Sequence, residues 1–467
     1  MLTSLQIKNF KAWKETGKVS LKPLTVIFGA NSAGKSSLGH LLLALKQTAI
    51  STERKRALHL GDINSLIDLG TFADCIHGHD LTQKLGFEFS WTPTDRIEIK
   101  DPLLKNKIYA GDRMNLRVEL GAGKTEQPEV TLIDYKLFEG KAEVEGETAV
   151  LDASFARNPA GKLTLTSKNV KLVHSVGRKW PLENAEKFYR ISETSRARFQ
   201  NADFLADFAI SLETMLQGLA YLGPLREYPK RIYPWSGNTP ENVGMKGEDT
   251  IAAILAADAE KRKLNRGPKT ALKGFSEFIA EHLVKLGVIH SFRVQPVAAG
   301  RKEYEVLVKT HAKAAEVKIT DVGIGVSQVL PALVLPFYCA PNSIVWMEQP
   351  EIHLHPQVQA ELADAFITAI HATEKGKPRN VQLIVESHSE HFLNRLQRRI
   401  AEGGIRPDEV AVHFCTKGED ATEMEPLGLN LYGDIVNWPE NFFGDQMADL
   451  TARTVAAMEE RKKQASK

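Results

Sequence analysis

Nine consecutive residues near the start of the chain, Gly29-Ala30-Asn31-Ser32-Ala33-Gly34-Lys35-Ser36-Ser37, have the types and spacing needed to hold a polyphosphate. They follow an apolar run, Leu24 to Phe28, and precede Leu38, Leu41, Leu42 and Leu45 at helical spacing. The pattern GxxxxGK(S/T) between a strand and a helix is a phosphate-binding loop. Its glycines let the backbone curl so that N–H groups point inward, and the new helix adds its partial positive charge. Lys35 is expected to reach the β- and γ-phosphates of a nucleoside triphosphate and Ser36 to ligate Mg²⁺. Gly29, Asn31, Ser32, Ala33, Gly34 and Ser37 are expected to line the cradle.

A second set lies in the last third. The apolar run Ser343 to Met347 ends in Glu348-Gln349-Pro350-Glu351. A buried strand that delivers a carboxylate at its C-terminal end suits a metal partner beside the phosphates. Glu348 is expected next to Mg²⁺, and Glu351 is expected to polarise the attacking water as general base. His353 and His355 follow at once, but no third ligand nearby completes a tetrahedral set, so shaping a turn is the better reading. Val381 to Glu386 repeats the layout and leads into Ser387-His388-Ser389-Glu390. Ser387 is expected to cap the next helix with Glu390 closing the box, and His388 to sit in the first helical turn facing a γ-phosphate. Asp321 to Gln328 is a glycine-punctuated helix start. Its Gly325, Ser327 and Gln328 could form a second anion site facing the first across a symmetric dimer.

The elements that must position these residues follow from the hydrophobic pattern. Residues 2–35 read as three strands and a loop, and 85–170 as short strands separated by turns. Residues 182–290 read as helical, chopped by Gly223-Pro224, Pro229, Pro234, Pro240 and Gly267-Pro268, so a long coiled-coil arm is not expected. Strands at 303–309 and 315–319 precede an alternation of helix 326–339, strand 343–347, helix 356–372, strand 381–386, helix 388–401 and strand 409–415. That alternation predicts a parallel sheet flanked by helices. A last helix is expected at about 442–463.

The 467 residues suffice for more than one core, and 43% hydrophobic with 25% charged residues is ordinary for a globular chain. A net charge of +2 neither demands nor excludes nucleic acid. Cys75, Cys339 and Cys415 are sparse and far apart, which argues for a reducing compartment. The longest apolar stretch, Leu330 to Ala340, is broken by two prolines and too short to cross a bilayer. Lys8, Lys11 and Lys14 stand where a signal peptide would be apolar. A cytoplasmic protein is expected.

Together these motifs resemble the ATP-binding head shared by ABC-type, SMC-like and RecF-like P-loop ATPases. They most resemble the OLD-like group that supplies ATPase subunits to phage-defence systems, Septu-type or related. The resemblance covers roughly 1–50 and 315–430 and extends to Tyr221 to Glu227 and Gly244 to Glu248. It implies an α/β ABC-type head, made of a mixed N-terminal β-subdomain and a parallel sheet flanked by helices. The expected division is 1–180 and 291–430 for the head, 181–290 for an inserted helical region, and 431–467 for a C-terminal extension. In family terms Gly29 to Ser36 is the Walker A, the Walker B strand ends at Glu348, Gly323 to Gln328 is the signature loop and His388 is the switch histidine. The chain departs from the family in three places. Gln349 stands where the second acid is usual, which implies that Glu351 acts as base or that hydrolysis is slow. The signature lacks LSGGQ wording. After 403, Thr416 to Asp420 and Glu423 do not form the acid constellation of an OLD nuclease, so no intrinsic nuclease is expected.

Three functions compete. The first is an ATP-sandwich homodimer or higher oligomer that regulates a separate effector, a nuclease or toxin, in phage defence. The second is a DNA-repair clamp, motivated by Lys261, Arg262, Lys263, Arg266, Lys269 and Lys273 and by Arg395, Arg398 and Arg399. The third, the motor of a membrane transporter, is the weakest, because no membrane-facing stretch is evident.

Overall fold

Three short runs, Leu24–Gly29, Ile344–Glu348 and Gln382–Glu386, are buried at every position. Continuous burial on both faces is the signature of strands inside a parallel sheet covered on two sides. A computed structural model of the chain, which describes residues 1–104, 106–140, 146–267, 270–439 and 453–457, places them side by side. The central sheet runs in the order Leu219–Leu222, Ile344–Glu348, Gln382–Glu386, Leu24–Gly29, Val410–Lys417 and Thr422–Leu427. The first five strands are parallel and the sixth is antiparallel.

Period-two alternation divides these strands between two cores. Ile27, Ile344, Trp346, Ile384 and Cys415 face one core, while Leu24, Val26, Phe28, Val345, Met347, Leu383 and Val385 face the other. The second core is closed by helices Thr250–Ala259, Phe275–Lys285, Ile324–Tyr338, Pro356–His371 and Glu390–Ala401. The first lies against an antiparallel sheet built mainly from the N-terminal third, running from Leu163–Thr166 through Leu151–Arg157, Pro128–Phe138, Arg113–Ala122, Leu85–Trp91 and Leu2–Phe10 to Trp13–Glu15. Helix Lys35–Ile50 is sandwiched there, which explains why Leu38, Leu41, Leu42, Leu43 and Leu45 are all buried. Gln382 ties the two sheets together: its amide exchanges hydrogen bonds of 2.9 and 2.7 Å with the backbone of Leu2.

The expected α/β architecture, a mixed N-terminal β-subdomain and a parallel sheet flanked by helices, is therefore observed. The longest helices among the described residues have 16 residues, about 24 Å, and no long coiled-coil arm is present there. Residues 182–290 are less helical than the pattern predicts. Helices Phe204–Gln217, Thr250–Ala259 and Phe275–Lys285 are there, but so is strand Leu219–Leu222, an edge of the central sheet. Its four apolar residues could not be told from the end of the preceding helix by periodicity. Of the helix expected at 442–463, only 453–457 are described, and they are helical; the rest lies outside the described residues.

Candidate functional site

The phosphate loop leaves its strand at Gly29, whose φ is 146°, and closes at Gly34, whose φ is 74°. A Cβ on Gly29 would lie 2.4 Å from the carbonyl oxygen of Cys415 on the neighbouring strand, so only glycine fits. Asn31 and Ser32 are exposed at the tip, and Ala33 is buried beneath it. Lys35 opens the helix and folds its Nζ onto the carbonyls of Gly29 (2.9 Å) and Ala30 (2.8 Å). Burial lowers the Lys35 pKa, and the charges of Glu386, Glu351 and Glu348 oppose that fall. Ser37 turns its hydroxyl back into the protein. Its Oγ donates to Gly34 O (2.5 Å) and accepts from the buried indole of Trp13 (3.1 Å), bracing the loop from behind.

Register brings two carboxylates to the loop. Glu348 and Glu386 are paired residues at the C-terminal ends of adjacent parallel strands, and Glu386 also pairs with Ile27, two residues before Gly29. Ser36 Oγ donates to Glu386 Oε2 at 2.9 Å, and the indole of Trp346 donates to Glu386 Oε1 at 2.8 Å. Tyr221 Oη donates to Glu348 Oε1 at 2.5 Å, and His40 Nε2 lies 3.5 Å from the same oxygen. Burial would raise the Glu348 carboxyl, but hydrogen bonds from His40, Tyr221 and Ser36 outweigh it and hold it below the ordinary range. Burial, then the Glu348 charge, pushes Glu386 up to about 8. A buried pair of like charges beside a loop serine is costly unless a cation sits between them, so the donor set fits a hard divalent ion.

A third acid lies behind this pair. Glu351 Oε1 accepts from Ser387 Oγ (2.8 Å) and from the backbone N–H of His388 (2.7 Å). Burial raises its pKa against those bonds and against the nearby Arg226 charge. Its other oxygen, Oε2, has no hydrogen-bond partner, nor have His388 Nε2 and Arg226 Nε. Burial pushes the His388 imidazole down to about 4, helped by Lys35, so it is neutral near pH 7. Ser387 does not cap the following helix and His388 does not lie within it: the helix is Glu390–Ala401, and its cap is Ser389, which accepts from Phe392 N at 3.0 Å. Ser387 is occupied by Glu351.

Arg226 ties the second expected anion site to the end of strand Ile344–Glu348. This buried guanidinium donates to the carbonyls of Gln328 (2.9 Å), Gln349 (3.1 Å), Glu348 and Pro350 (both 3.3 Å). The start of helix Ile324–Tyr338 is thereby fixed to the tip of the acid strand. Gly325 packs against the turn that contains His353 and Leu354. Ser327 is buried and its Oγ donates to Ile324 O (2.8 Å), and Gln328 is buried as well. In this state the Ser327 hydroxyl is turned inward, so an anion there would meet the exposed backbone of Gly323 and Ile324 first.

Sequence reasoning missed Glu386, Tyr221, Arg226 and His40 as members of this cluster. Glu386 had a signal: it ends an apolar strand just as Glu348 does. His40 lies one helical turn past Ser36, a spacing that puts both on the same helix face. His355 caps helix Pro356–His371, its Nδ1 accepting from Gln357 N at 3.3 Å, and His353 sits in a left-handed turn with φ 63°. The basic runs are largely engaged. Arg262 holds Glu374 (2.9 Å), Arg266 and Lys273 hold Glu281 (2.9 and 3.0 Å), and Arg395 and Arg399 share Asp364 (both 2.6 Å). Arg398 holds Glu402 (2.7 Å), and Lys269 lies outside the described residues. No helix among the described residues is long and apolar enough to cross a membrane.

A phosphate loop at the C-terminal edge of a parallel sheet, opposite paired carboxylates, defines a P-loop ATPase head. The chain belongs to the AAA_15 family, described as AAA ATPase domain, whose model matches residues 1–204 and 239–393. Residues 405–452, which include the last two sheet strands, match a family described as a protein of unknown function, DUF3696. No curated protein matches the chain. Among solved structures it is similar to an SMC head bound to the C-winged helix domain of ScpA, with 11% identity, a TM-score of 0.42, and coverage of 92% of this chain and 98% of that one. It is also similar to the SMC head domain from Thermotoga maritima (11% identity, TM-score 0.38, coverage 91% and 98%). A third is the Smc head with an extended coiled coil bound to the C-terminal domain of ScpA derived from Pyrococcus furiosus (12% identity, TM-score 0.40, coverage 92% and 96%). At these distances the likenesses carry no functional argument.

Proposed function

We propose that the chain hydrolyses ATP between two copies of itself, and that this cycle switches a separate effector, a nuclease or toxin, in phage defence as in the OLD-like group it resembles. One observation carries the catalytic part. Lys35, Ser36, Glu348 and Glu386 converge at one sheet edge, and three unpartnered polar atoms, on Glu351, His388 and Arg226, are buried nearby. Such atoms cost free energy in the free protein and are satisfied by a ligand that brings its own donors and acceptors. In this reading Lys35 exchanges its loop carbonyls for the β- and γ-phosphates. Ser36, Glu348 and Glu386 hold Mg²⁺, which supplies charge neutralisation on the phosphate oxygens. Glu351 Oε2 accepts the proton of the attacking water, with Ser387 and the His388 N–H fixing its other oxygen. His388 Nε2 donates to the transferring group. The second copy contributes the helix start at Gly323 to Ser327. Gln349 cannot take a proton, so the role of base falls to Glu351. The head comprises 1–180 and 291–430, and 181–290 is an insertion that returns strand Leu219–Leu222 to it.

The effector part rests on the resemblance and on the missing nuclease acids after 403. Among the described residues the DNA-gripping alternative keeps Lys261 and Lys263 as unpaired cations, while its five arginines and Lys273 are ion-paired. Mass measured with and without an unhydrolysable ATP analogue tests the dimer: a chain that stays monomeric at saturating analogue rejects it. Phosphate release from ATP by the purified chain tests the chemistry, and a reading frame for a small nuclease or toxin beside this one tests the effector.

A further inference from the structure

The opposite end of the same sheet carries a second feature that the nucleotide chemistry does not use. Where strands Ile344–Glu348 and Gln382–Glu386 begin, about 16 Å from their carboxylate ends, a cleft of about 1110 Å³ opens beside Asn342 and Asn380. That volume exceeds the usual range for small-molecule sites, roughly 300–1,000 Å³. One side is a small sheet in which strand Lys263–Asn265 pairs with the hairpin of Thr373–Glu374 and Lys377–Pro378, and residues 239–241 and 340–342 complete the lining. Apolar groups line it: Pro240, Leu272, Pro341 and Pro378, with Leu272 56% exposed.

The charges of the cleft are strongly one-sided. Glu374 is held by Arg262 at 2.9 Å and by the fully buried Arg379, which also donates to Cys339 O. Two guanidiniums on one carboxylate leave the wall net positive, and Arg379 Nε has no hydrogen-bond partner. Around the mouth stand Lys261, Lys263, Lys375 and Lys377, all exposed, and none forms an ion pair among the described residues. Of the lining acids, Glu241 pairs with Lys46 (3.3 Å) and only Glu260 stands open. Lys261 and Lys375 occupy left-handed turns (φ 54° and 51°), which fixes where their stems begin.

We propose that this cleft docks a short acidic peptide segment with interspersed apolar side chains, carried by a partner protein. Exposed Leu272, Pro341 and Pro378 stand among the lysines, so a segment that carries both acidic and apolar side chains finds a partner for each. Nucleic acid fits it less well. Single strands want free aromatic faces to stack on, and the cleft's Tyr338 is 5% exposed with its Oη committed to Pro240 O (2.7 Å). The proposal stands independently of the nucleotide reading, because no residue of the cleft belongs to the ATP site.

The test uses the full chain, a fluorescein-labelled ten-residue peptide of alternating Asp and Leu, and a labelled ten-nucleotide oligothymidine, read by fluorescence anisotropy. The peptide is expected to bind saturably and to weaken as salt rises. The combined variant Lys261→Glu, Lys263→Glu, Lys375→Glu, Lys377→Glu is expected to weaken it at least ~10-fold, while the four corresponding Lys→Arg changes retain it. Leu272→Asp is expected to weaken the peptide and leave the oligonucleotide unchanged. All these positions are exposed, so the variants should keep the unaltered chain's melting temperature and ATP hydrolysis. Failure of the peptide to saturate the unaltered chain overturns the proposal, as does indifference to the charge reversal. Tighter binding of the oligothymidine, lost on reversal, also overturns it and gives the cleft to nucleic acid.

Discussion

Replacing Arg226 by Met tests whether the helix start at 323–328 and the acid-strand tip work as one body. The guanidinium is 7% exposed and spans four carbonyls, those of Gln328, Glu348, Gln349 and Pro350. Burial, opposed by the Glu351 charge, takes its pKa from 12.5 to about 10. At 1.36 kcal/mol per pKa step, that fall is a cost of about 3 kcal/mol for keeping the charge inside. Hydrogen bonds to a charged group return about 1.5–3 kcal/mol each. Four of them, two at the long distance of 3.3 Å, return about 6–9 kcal/mol. The difference favours the native contact by about 3–6 kcal/mol, the range known for breaking a buried charged cluster. Arg226→Met is therefore expected to lower the urea-derived unfolding free energy by roughly that amount. A fluorescent ATP analogue should still bind, because the phosphate loop makes no bond to Arg226. Turnover should fall, since Glu351 and the 323–328 backbone lose their common brace. A variant within about 1 kcal/mol of the unaltered chain, with unchanged turnover, would refute the reasoning.

Five further outcomes are expected. Lys35→Ala should abolish tight ATP binding in a fluorescence titration, because nothing else buried in the loop carries a positive charge. Glu351→Gln should keep ATP binding and lose turnover by about 10²–10⁴-fold, the usual weight of a general base. The unaltered chain should lose activity on acidification at a pH above the ordinary carboxylate value of 4.5, because burial raises Glu351 and only its ionised form accepts a proton. That acid limb should vanish in Glu351→Gln, and its persistence would assign the base elsewhere. Gln349→Glu should raise the phosphate-release rate if the missing second acid limits hydrolysis. Gly39→Ala should lower the melting temperature, at a cost of about 1–3 kcal/mol, because the new Cβ would lie 2.6 Å from the Trp346 indole nitrogen that holds Glu386.

The head architecture was legible because its signals are local. The phosphate loop declares itself by glycines whose φ values of 146° and 74° no other residue adopts easily. The strands Ile344–Glu348 and Gln382–Glu386 declare themselves as unbroken apolar runs between helices. What stayed hidden depends on pairing at a distance. Glu386 becomes a partner of Glu348 only through strand register, and Tyr221 joins them only because Leu219–Leu222 lies beside Ile344–Glu348. The caps were misread for a related reason. Ser387 has the right neighbours to cap a helix, but the tertiary demand of Glu351 takes its hydroxyl, and Ser389 takes the cap. A buried acid outbid a local propensity.

The same register explains how a site can lack the usual second acid and still gather two carboxylates. Consecutive residues of a strand point to opposite faces, so an acid following Glu348 could share its face only after the strand had ended. The chain does end there: Gln349 has φ 44°, and its N–H donates to Glu386 O at 2.8 Å, which turns the backbone away. Paired residues of adjacent parallel strands, by contrast, point to the same face, and Glu386 uses that relation to stand beside Glu348. The tyrosine and the arginine that steady this pair come from residues 219–226, far from both acids in sequence. Residues 219–226 are therefore structural members of the proposed nucleotide site. A partner that moved residues 223–231 would act on Glu348 and the 323–328 helix start together, through Arg226 and through the 2.7 Å pair of Arg231 with Asp321.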